Sequence, residues 1–269
     1  MIDSRYISRA QAIGAAAAVN RIDTTTGLDH QAPAAAHSSL PPNGGRAEAM
    51  VENYSHSVDK PRFLKILGLR HAKSRVESKG DGNGGNVSHS YTIVHDYALL
   101  DQLTAAEIET QLQTEHPGNS PEAMIRPVGN RLVGLKLDGH EVHVELDEKL
   151  FQEAGTKDLL RKRFEGDSEL RNKQAWRFSA DAGAITIPEY KGYYVCSLVK
   201  SVEWGGKPHP DVTIDGYTLR WKGFGRIYLG ELLVGEGTRS LTMIRAKMGS
   251  PVDGSGSGGS VDQQGATMP

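Results

Sequence analysis

The sequence predicts a mainly β fold, with two packed antiparallel sheets forming a sandwich or flattened barrel and one short helical insertion. Three observations carry this. Short apolar runs, several of them alternating, recur along the chain between turn residues. Glycine supplies 31 of 269 residues, well above the ~7% of an average protein, which favours many turns over long helices. Two Asp-Gly dipeptides, at 138–139 and 215–216, sit inside such runs as tight hairpin turns would. A β-solenoid is the alternative architecture. We read residues 1–248 as one β-rich domain, with the helical insertion at about 148–178 and a Gly/Ser-rich C-terminal tail over 249–269.

The first strand is expected near Ala10 to Val19, with Ala10, Ala12, Gly14, Ala16 and Ala18 on one small-residue face that another layer can approach closely. Residues 22–45, rich in Thr, Ala, Ser and Pro, read as an irregular crossing segment. The run from Phe63 to Leu69 continues in loose alternation to the glycine-rich tip KGDGNGGN, and Val87 to Leu100 carries the chain back. Leu103 to His116 is ambiguous. Its Ala, Glu, Gln and Leu favour helix, while Ala106, Ile108, Thr110 and Leu112 alternate as a strand.

Arg131 to Leu146 gives the sharpest local expectation. Around an Asp138-Gly139 type I′ turn, Leu137 faces His140, Leu135 faces Val142 and Val133 faces Val144, with Lys136 facing Glu141 on the polar side. Next, Thr156 caps a helix whose first turn contains Asp158 and whose buried stripe is Leu159, Leu160 and Phe164. A second short helix starts near Asp167 or Ser168 and runs towards Trp176. The uninterrupted apolar run YYVCSLV predicts burial on both faces. At the second Asp-Gly, Ile214 is expected opposite Tyr217, Thr213 opposite Thr218, Val212 opposite Leu219 and Asp211 opposite Arg220. RIYLGELLV and SLTMIRAKM make two further strands, and the last twenty residues read as a flexible tail.

At 29.2 kDa the chain buries a core without covalent staples. A net charge of -2 gives no general attraction to polyanions, so nucleic acid is not an expected partner. No run approaches the ~18 apolar residues of a spanning helix, so no membrane span is expected. The apolar stretch QAIGAAAAV behind Arg5 and Arg9 is short, alanine-dominated and interrupted by Gln11, so it makes no clear signal peptide and the compartment stays open. With one cysteine, Cys196, the chain forms no intrachain disulfide and no Cys-based zinc site.

No catalytic, cofactor-binding or metal-ligating set is assigned, and no cofactor is expected. His140 and His143 lie three apart on a strand and so point to opposite faces, His143 sharing its face with Glu141 and Glu145. Cys196, among Tyr194, Val195 and Leu198, reads as buried rather than nucleophilic. Glu203 and Glu231 are a glycosidase-like pair only if the fold brings them together. Asp81 and Asn83 lack the bidentate glutamate of a calcium loop. The basic stretch from Lys157 to Arg177, with Trp176 and Phe178, reads as the solvated face of an amphipathic helix. The glycines of GFG, 223–225, lack a nucleotide-loop spacing.

The order of segments SRAQAIGAAAAV, SLPPNGG, YTIVHDYALLDQLTAAEIETQL, RLVGLKLDGHEVHVELDEKLF, YYVCSLVKSVEW, GFGRIYLGELLV and RSLTMIRAKMGSPVDG resembles a little-characterised family of bacterial β-rich proteins. It is more loosely similar to choice-of-anchor surface domains. The resemblance implies that Leu103 to Leu112 is a strand and that the glycine-rich tail is a family feature. It carries no catalytic residues. The charged segment 156–177 and the absence of a clear export signal depart from the pattern.

The expected function is a non-enzymatic structural or self-assembling protein, a surface or filament subunit forming a homo-oligomer. The alternative is a β module that binds carbohydrate or protein through exposed aromatics such as Trp204, Trp221 and Tyr190 on one face. A hydrolase is the third class.

Overall fold

The computed structural model describes residues 6–20, 29–41, 44–58, 63–80, 82, 85–118, 120, 122–174, 189–190, 192–249 and 253–267. Asp81, Asn83, Trp176 and Phe178 lie outside the described residues. In chain order the strands are β1 (Tyr6–Asn20), β2 (Asp29–Ser39), β3 (Gly45–Val58), β4 (Leu64–Gly80), β5 (Asn86–Leu99), β6 (Leu103–His116), β7 (Met124–Pro127), β8 (Arg131–Val133), β9 (Leu135–Leu137) and β10 (His140–Leu146). The helices α1 (Lys149–Glu153) and α2 (Lys157–Gly166) follow, with a further helical stretch over residues 168–174. The chain then forms β11 (Glu189–Tyr190), β12 (Tyr193–Ser197), β13 (Val199–Trp204), β14 (Val212–Asp215), β15 (Thr218–Trp221), β16 (Gly225–Gly235), β17 (Thr238–Met248) and β18 (Asp253–Thr267).

These strands build two open antiparallel sheets of nine strands each. Sheet A runs β11-β12-β16-β17-β18-β1-β2, with the β14–β15 hairpin attached through β15 to β16. Sheet B runs β13-β10-β9-β6-β5-β4-β3, with β7 and β8 also paired to β6. The sheets pack face to face, β1 and β18 lying over β4, β5 and β6. The expected sandwich with one helical insertion is the observed fold. The YYVCSLV run is buried from Tyr194 to Val199, and it serves two sheets: β12 lies in sheet A, and the chain crosses at Leu198 into β13 of sheet B.

Small residues set the distance between the sheets. A Cβ on Gly14 of β1 would lie 2.9 Å from Ala72 Cβ of β4, and one on Gly258 of β18 would lie 2.8 Å from Ile108 Cδ1. The Gly/Ser-rich stretch expected to be a flexible tail is therefore the strand β18, paired with β17 on one side and β1 on the other. Its composition is what a strand packed against Leu99, Tyr97 and Ile108 requires. The expected crossing segment is likewise corrected, since residues 29–39 form β2.

The long strands change face midway along one transverse line in each sheet. In sheet A the pairs Ile13↔Ser260 and Ala15↔Gly258 bracket Gly14 and Gly259, and Glu231↔Thr242 and Leu229↔Ile244 bracket Gly230 and Met243. In sheet B, Glu52↔His71 and Tyr54↔Leu69 bracket Asn53 and Arg70, and His95↔Glu107 and Tyr97↔Ala105 bracket Asp96 and Ala106. A positive-φ residue stands on this line in alternate strands: Gly230, Gly259 and Ala36 in one sheet, Asn53, Asp96 and Gly134 in the other. Because neighbouring strands skip a residue at the same level, most pairings keep their register while every side-chain alternation inverts. The expected even-numbered face of β1 is corrected accordingly. Ala10 and Ala12 are buried, but beyond Gly14 the buried residues are Ala15, Ala17 and Val19.

Both Asp-Gly hairpins form, with different outcomes. Leu137↔His140, Lys136↔Glu141 and Leu135↔Val142 pair as expected, with Asp138 at φ 48° and Gly139 at φ 80°, the double positive φ of a type I′ turn. Val133 does not reach Val144, because Gly134 breaks the strand and β8 pairs with β6 instead. In the second hairpin Asp215 pairs with Thr218, so the turn residues are Gly216 and Tyr217. Only Gly216 has positive φ, 57°, as a type II′ turn requires. This moves the partners by two positions and keeps each residue on its expected face.

The helical insertion follows its caps. Thr156 accepts a hydrogen bond from Leu159 N at 3.2 Å, and Leu160 and Phe164 are buried; Leu159, expected in that stripe, is exposed. The insertion is fastened to the β16–β17 turn by Arg239, which is 2% exposed and donates to Gly235 O at 2.7 Å, Thr238 O at 2.9 Å and Gly155 O at 2.9 Å. Burial pushes its pKa down to about 10, against the opposing charge of Glu122.

Candidate functional site

The residues with chemical potential gather at one end of the sandwich, around the β9–β10 turn. Asp138 N donates to Gln102 O at 2.8 Å, tying the turn to the β5–β6 connection. His140, the first residue of β10, has its Nδ1 2.9 Å from Lys207 O, so Nδ1 carries the proton that this carbonyl accepts. His209, only 8% exposed, accepts at Nδ1 from Asp211 N at 3.1 Å, which leaves its ring proton on Nε2. That nitrogen is 4.0 Å from Asp138 Oδ2, too long for a hydrogen bond.

Five rings form a file from sheet B to sheet A. Trp204 of β13 lies edge-on to His140 at 6.5 Å, His140 to His209 at 4.9 Å, and His209 to Trp221 of β15 at 5.2 Å; Trp221 stacks on Phe224 at 4.6 Å. His209, Trp221 and Phe224 are buried, Trp204 and His140 half-buried. Edge-to-face and offset contacts of this kind add to the burial they accompany. The file bridges the two sheets, and its imidazoles spend hydrogen bonds on protein backbone. The GFG glycines shape its last step as a turn, with Phe224 N donating to Trp221 O at 3.1 Å.

The other candidates are dispersed. His143 sits on the opposite face of β10 from His140, exposed, 3.6 Å from Glu141 Oε1, while Glu145 holds Lys200 at 2.7 Å. Lys200 holds the Glu145 carboxyl below its usual range. Cys196 is fully buried in β12. Glu203 is exposed in sheet B, whereas Glu231 is buried in sheet A, bidentate to Arg245 with both bonds at 2.6 Å. The two carboxylates do not share a site. In the basic stretch, Asp158 binds Arg161 and Lys162, Arg163 binds Glu153, and Lys157 donates to Gly192 O at 2.7 Å. Among the described residues no group of three or more His, Cys, Asp or Glu side chains is placed to hold a metal ion. No described helix is long and apolar enough to cross a membrane.

The aromatic platform expected of a binding module is not assembled. Trp221 is 6% exposed and belongs to sheet A, while Trp204 belongs to sheet B. Tyr190 lies in β11, but its side chain is outside the described residues. Sequence reasoning missed His209 as a member of the ring file and Arg239 as the anchor of the helical insertion. Only the histidine within KPHPD, held by flanking prolines, signals a fixed loop.

The surface that stands open is the rim of the sandwich on the β2–β3 side. β3 pairs with β4 alone, and no described strand covers its other edge. Outward residues along β3 are exposed while Ala47, Ala49 and Val51 are half-buried, Ala47 and Val51 packing against the core. β1, by contrast, is paired on both sides, with β18 and with β2.

A family model described as a domain of unknown function, DUF8256, matches residues 6–184 and 169–235 of the chain. No curated protein matches, and no solved structure matches.

Proposed function

The chain belongs to the DUF8256 family, and we propose that it is a non-enzymatic structural protein that self-associates through a sheet edge. The carrying observation is the 14-residue edge strand β3, which among the described strands pairs with β4 alone and carries half-buried Ala47, Ala49 and Val51. An open edge presents unpaired N–H and C=O groups, and adding a strand to it satisfies them. The dispersal of Glu203, Glu231, Cys196 and His143 over separate faces supports a non-catalytic role.

Light scattering of the full chain across a concentration series tests the reading. We expect particles heavier than the 29.2 kDa monomer, with deletion of charge complementarity on β3 lowering their mass. A monomer at every concentration sinks it. A binding module for protein or carbohydrate is the second reading, favoured by a cleft of about 540 Å³ beside Lys200, Val202, Ile214 and Tyr217. Binding of a glycan or peptide there by the monomer would give it precedence.

A further inference from the structure

We infer that β3 is self-complementary and that two copies of the chain pair through it antiparallel about a two-fold axis, with Ala49 of one opposite Ala49 of the other. This rests on the self-association reading above and goes beyond it by naming the partner, the strand and the register.

Two edges open on the same side of the sandwich, linked by Tyr54 Oη donating to Pro33 O at 2.9 Å, and they differ in kind. β2 carries Pro33, which has no N–H to give, shifts its register against β1 between Ala15 and Ala17, and holds Ala36 at φ 51°. These devices blunt an edge. β3 runs in unbroken register with β4 from Arg46↔Glu77 to Glu52↔His71, and it is bounded by Gly45 at φ 103° and Asn53 at φ 51°. The regular stretch 46–52 therefore has Ala49 as its midpoint.

Charge is compatible with the same centre. Antiparallel pairing about Ala49 sets Arg46 opposite Glu52 of the second copy, twice by symmetry, and Met50 opposite Glu48. On the inner face it sets Ala47 opposite Val51, so the half-buried residues of the two cores cover one another. Centring on Met50 would oppose Glu48 and Glu52 twice, and centring on Glu48 would oppose that carboxylate to itself. Like charges directly opposite destabilise a ladder, whereas opposite charges and apolar pairs support it. The groups are available: the Arg46 side chain is 54% exposed, Met50 is 62% exposed, and Glu52 has no ion-pair partner among the described residues. Arg46 leans on Glu48 within the free chain, and an outward swing of the guanidinium reaches the new carboxylate. A two-fold contact of this kind is isologous, so it closes at a dimer.

Three variants of the full chain test this by sedimentation and oxidative cross-linking. Ala49→Cys should form a disulfide-linked dimer under mild oxidation, since directly opposed strand residues lie within disulfide reach and the native Cys196 is fully buried. Arg46→Glu should weaken the dimer about tenfold or more, and Arg46→Glu with Glu52→Arg should restore it. Circular dichroism of each variant confirms that these surface changes leave the fold intact. If the chain assembles but Ala49→Cys does not cross-link and the charge swap changes nothing, the β3 register is overturned while self-association stands. A chain that stays monomeric overturns both.

Discussion

The side-chain amide of Asn130 completes the backbone ladder of Gln111. Asn130 Oδ1 accepts from Gln111 N at 2.7 Å, and Asn130 Nδ2 donates to Gln111 O at 3.2 Å, between the stretches where β7 and β8 pair with β6. The amide thus stands in for a peptide group where the chain bulges away from the sheet. Asn130→Ala leaves Gln111 N without its acceptor in a half-buried position, while Gln111 O keeps Val128 N at 3.4 Å, and we expect a loss of about 1–3 kcal/mol in denaturant unfolding. Asn130→Asp keeps the acceptor but sets a second carboxylate against Glu148 Oε1, which Asn130 Nδ2 contacts, so it should cost at least as much as the alanine.

Gly139→Val should cost about 1–3 kcal/mol. A Cβ there meets nothing within 4 Å, so the whole penalty comes from φ 80° and none from a clash. Gly139→Asn, which tolerates that φ, is the control and should lie within about 0.5 kcal/mol of the parent. Equal denaturation midpoints for Val and Asn would rule out the type I′ turn.

Gly14 sits at a close approach of the sheets, with Ala72 Cβ of the opposite sheet 2.9 Å and Ala35 O of the neighbouring strand 3.0 Å from an added Cβ. Gly14→Ala should destabilise by about 1–3 kcal/mol through overpacking. Combining it with Ala72→Gly should cost less than the two changes added together. Strict additivity would mean that the sheets relax apart without resistance.

Glu48 is held at a pKa of about 2, first by its hydrogen bond to Lys73 and then by Arg46. A carboxyl lowered in the folded state contributes stability that is present above the unfolded value of ~4.3 and lost as pH falls through the folded one. Carboxyl-detected NMR titration should show this midpoint, and Lys73→Met should move it upward. A midpoint near ~4.3 in the parent chain would remove the contact.

Much of this molecule was legible locally. Alternation of apolar and polar residues gave the long strands β4 and β5, Asp138-Gly139 gave its turn type and partners, and Thr156 gave the start of α2. Each of these depends on backbone preferences and hydrogen bonds within a few residues, which the sequence carries by itself. The strand state of 253–267 does not, because glycine and serine have no intrinsic β preference; the need for small side chains under Leu99, Tyr97 and Ile108 decides it. Pairing with β16 accompanies the slipped register at Gly216, as Thr218 aligns with Tyr228. The face inversions at Gly14, Asn53 and Asp96 need neighbours that skip a residue at the same level, and the ring file from Trp204 to Phe224 needs two sheets to meet. The open edge of β3 is likewise a property of strand order. Sequence determined which segments have a strand's alternation and how the Asp138-Gly139 turn closes; only the packed sheets decided the register of the second hairpin, which strands are flipped and which lie at a sheet edge.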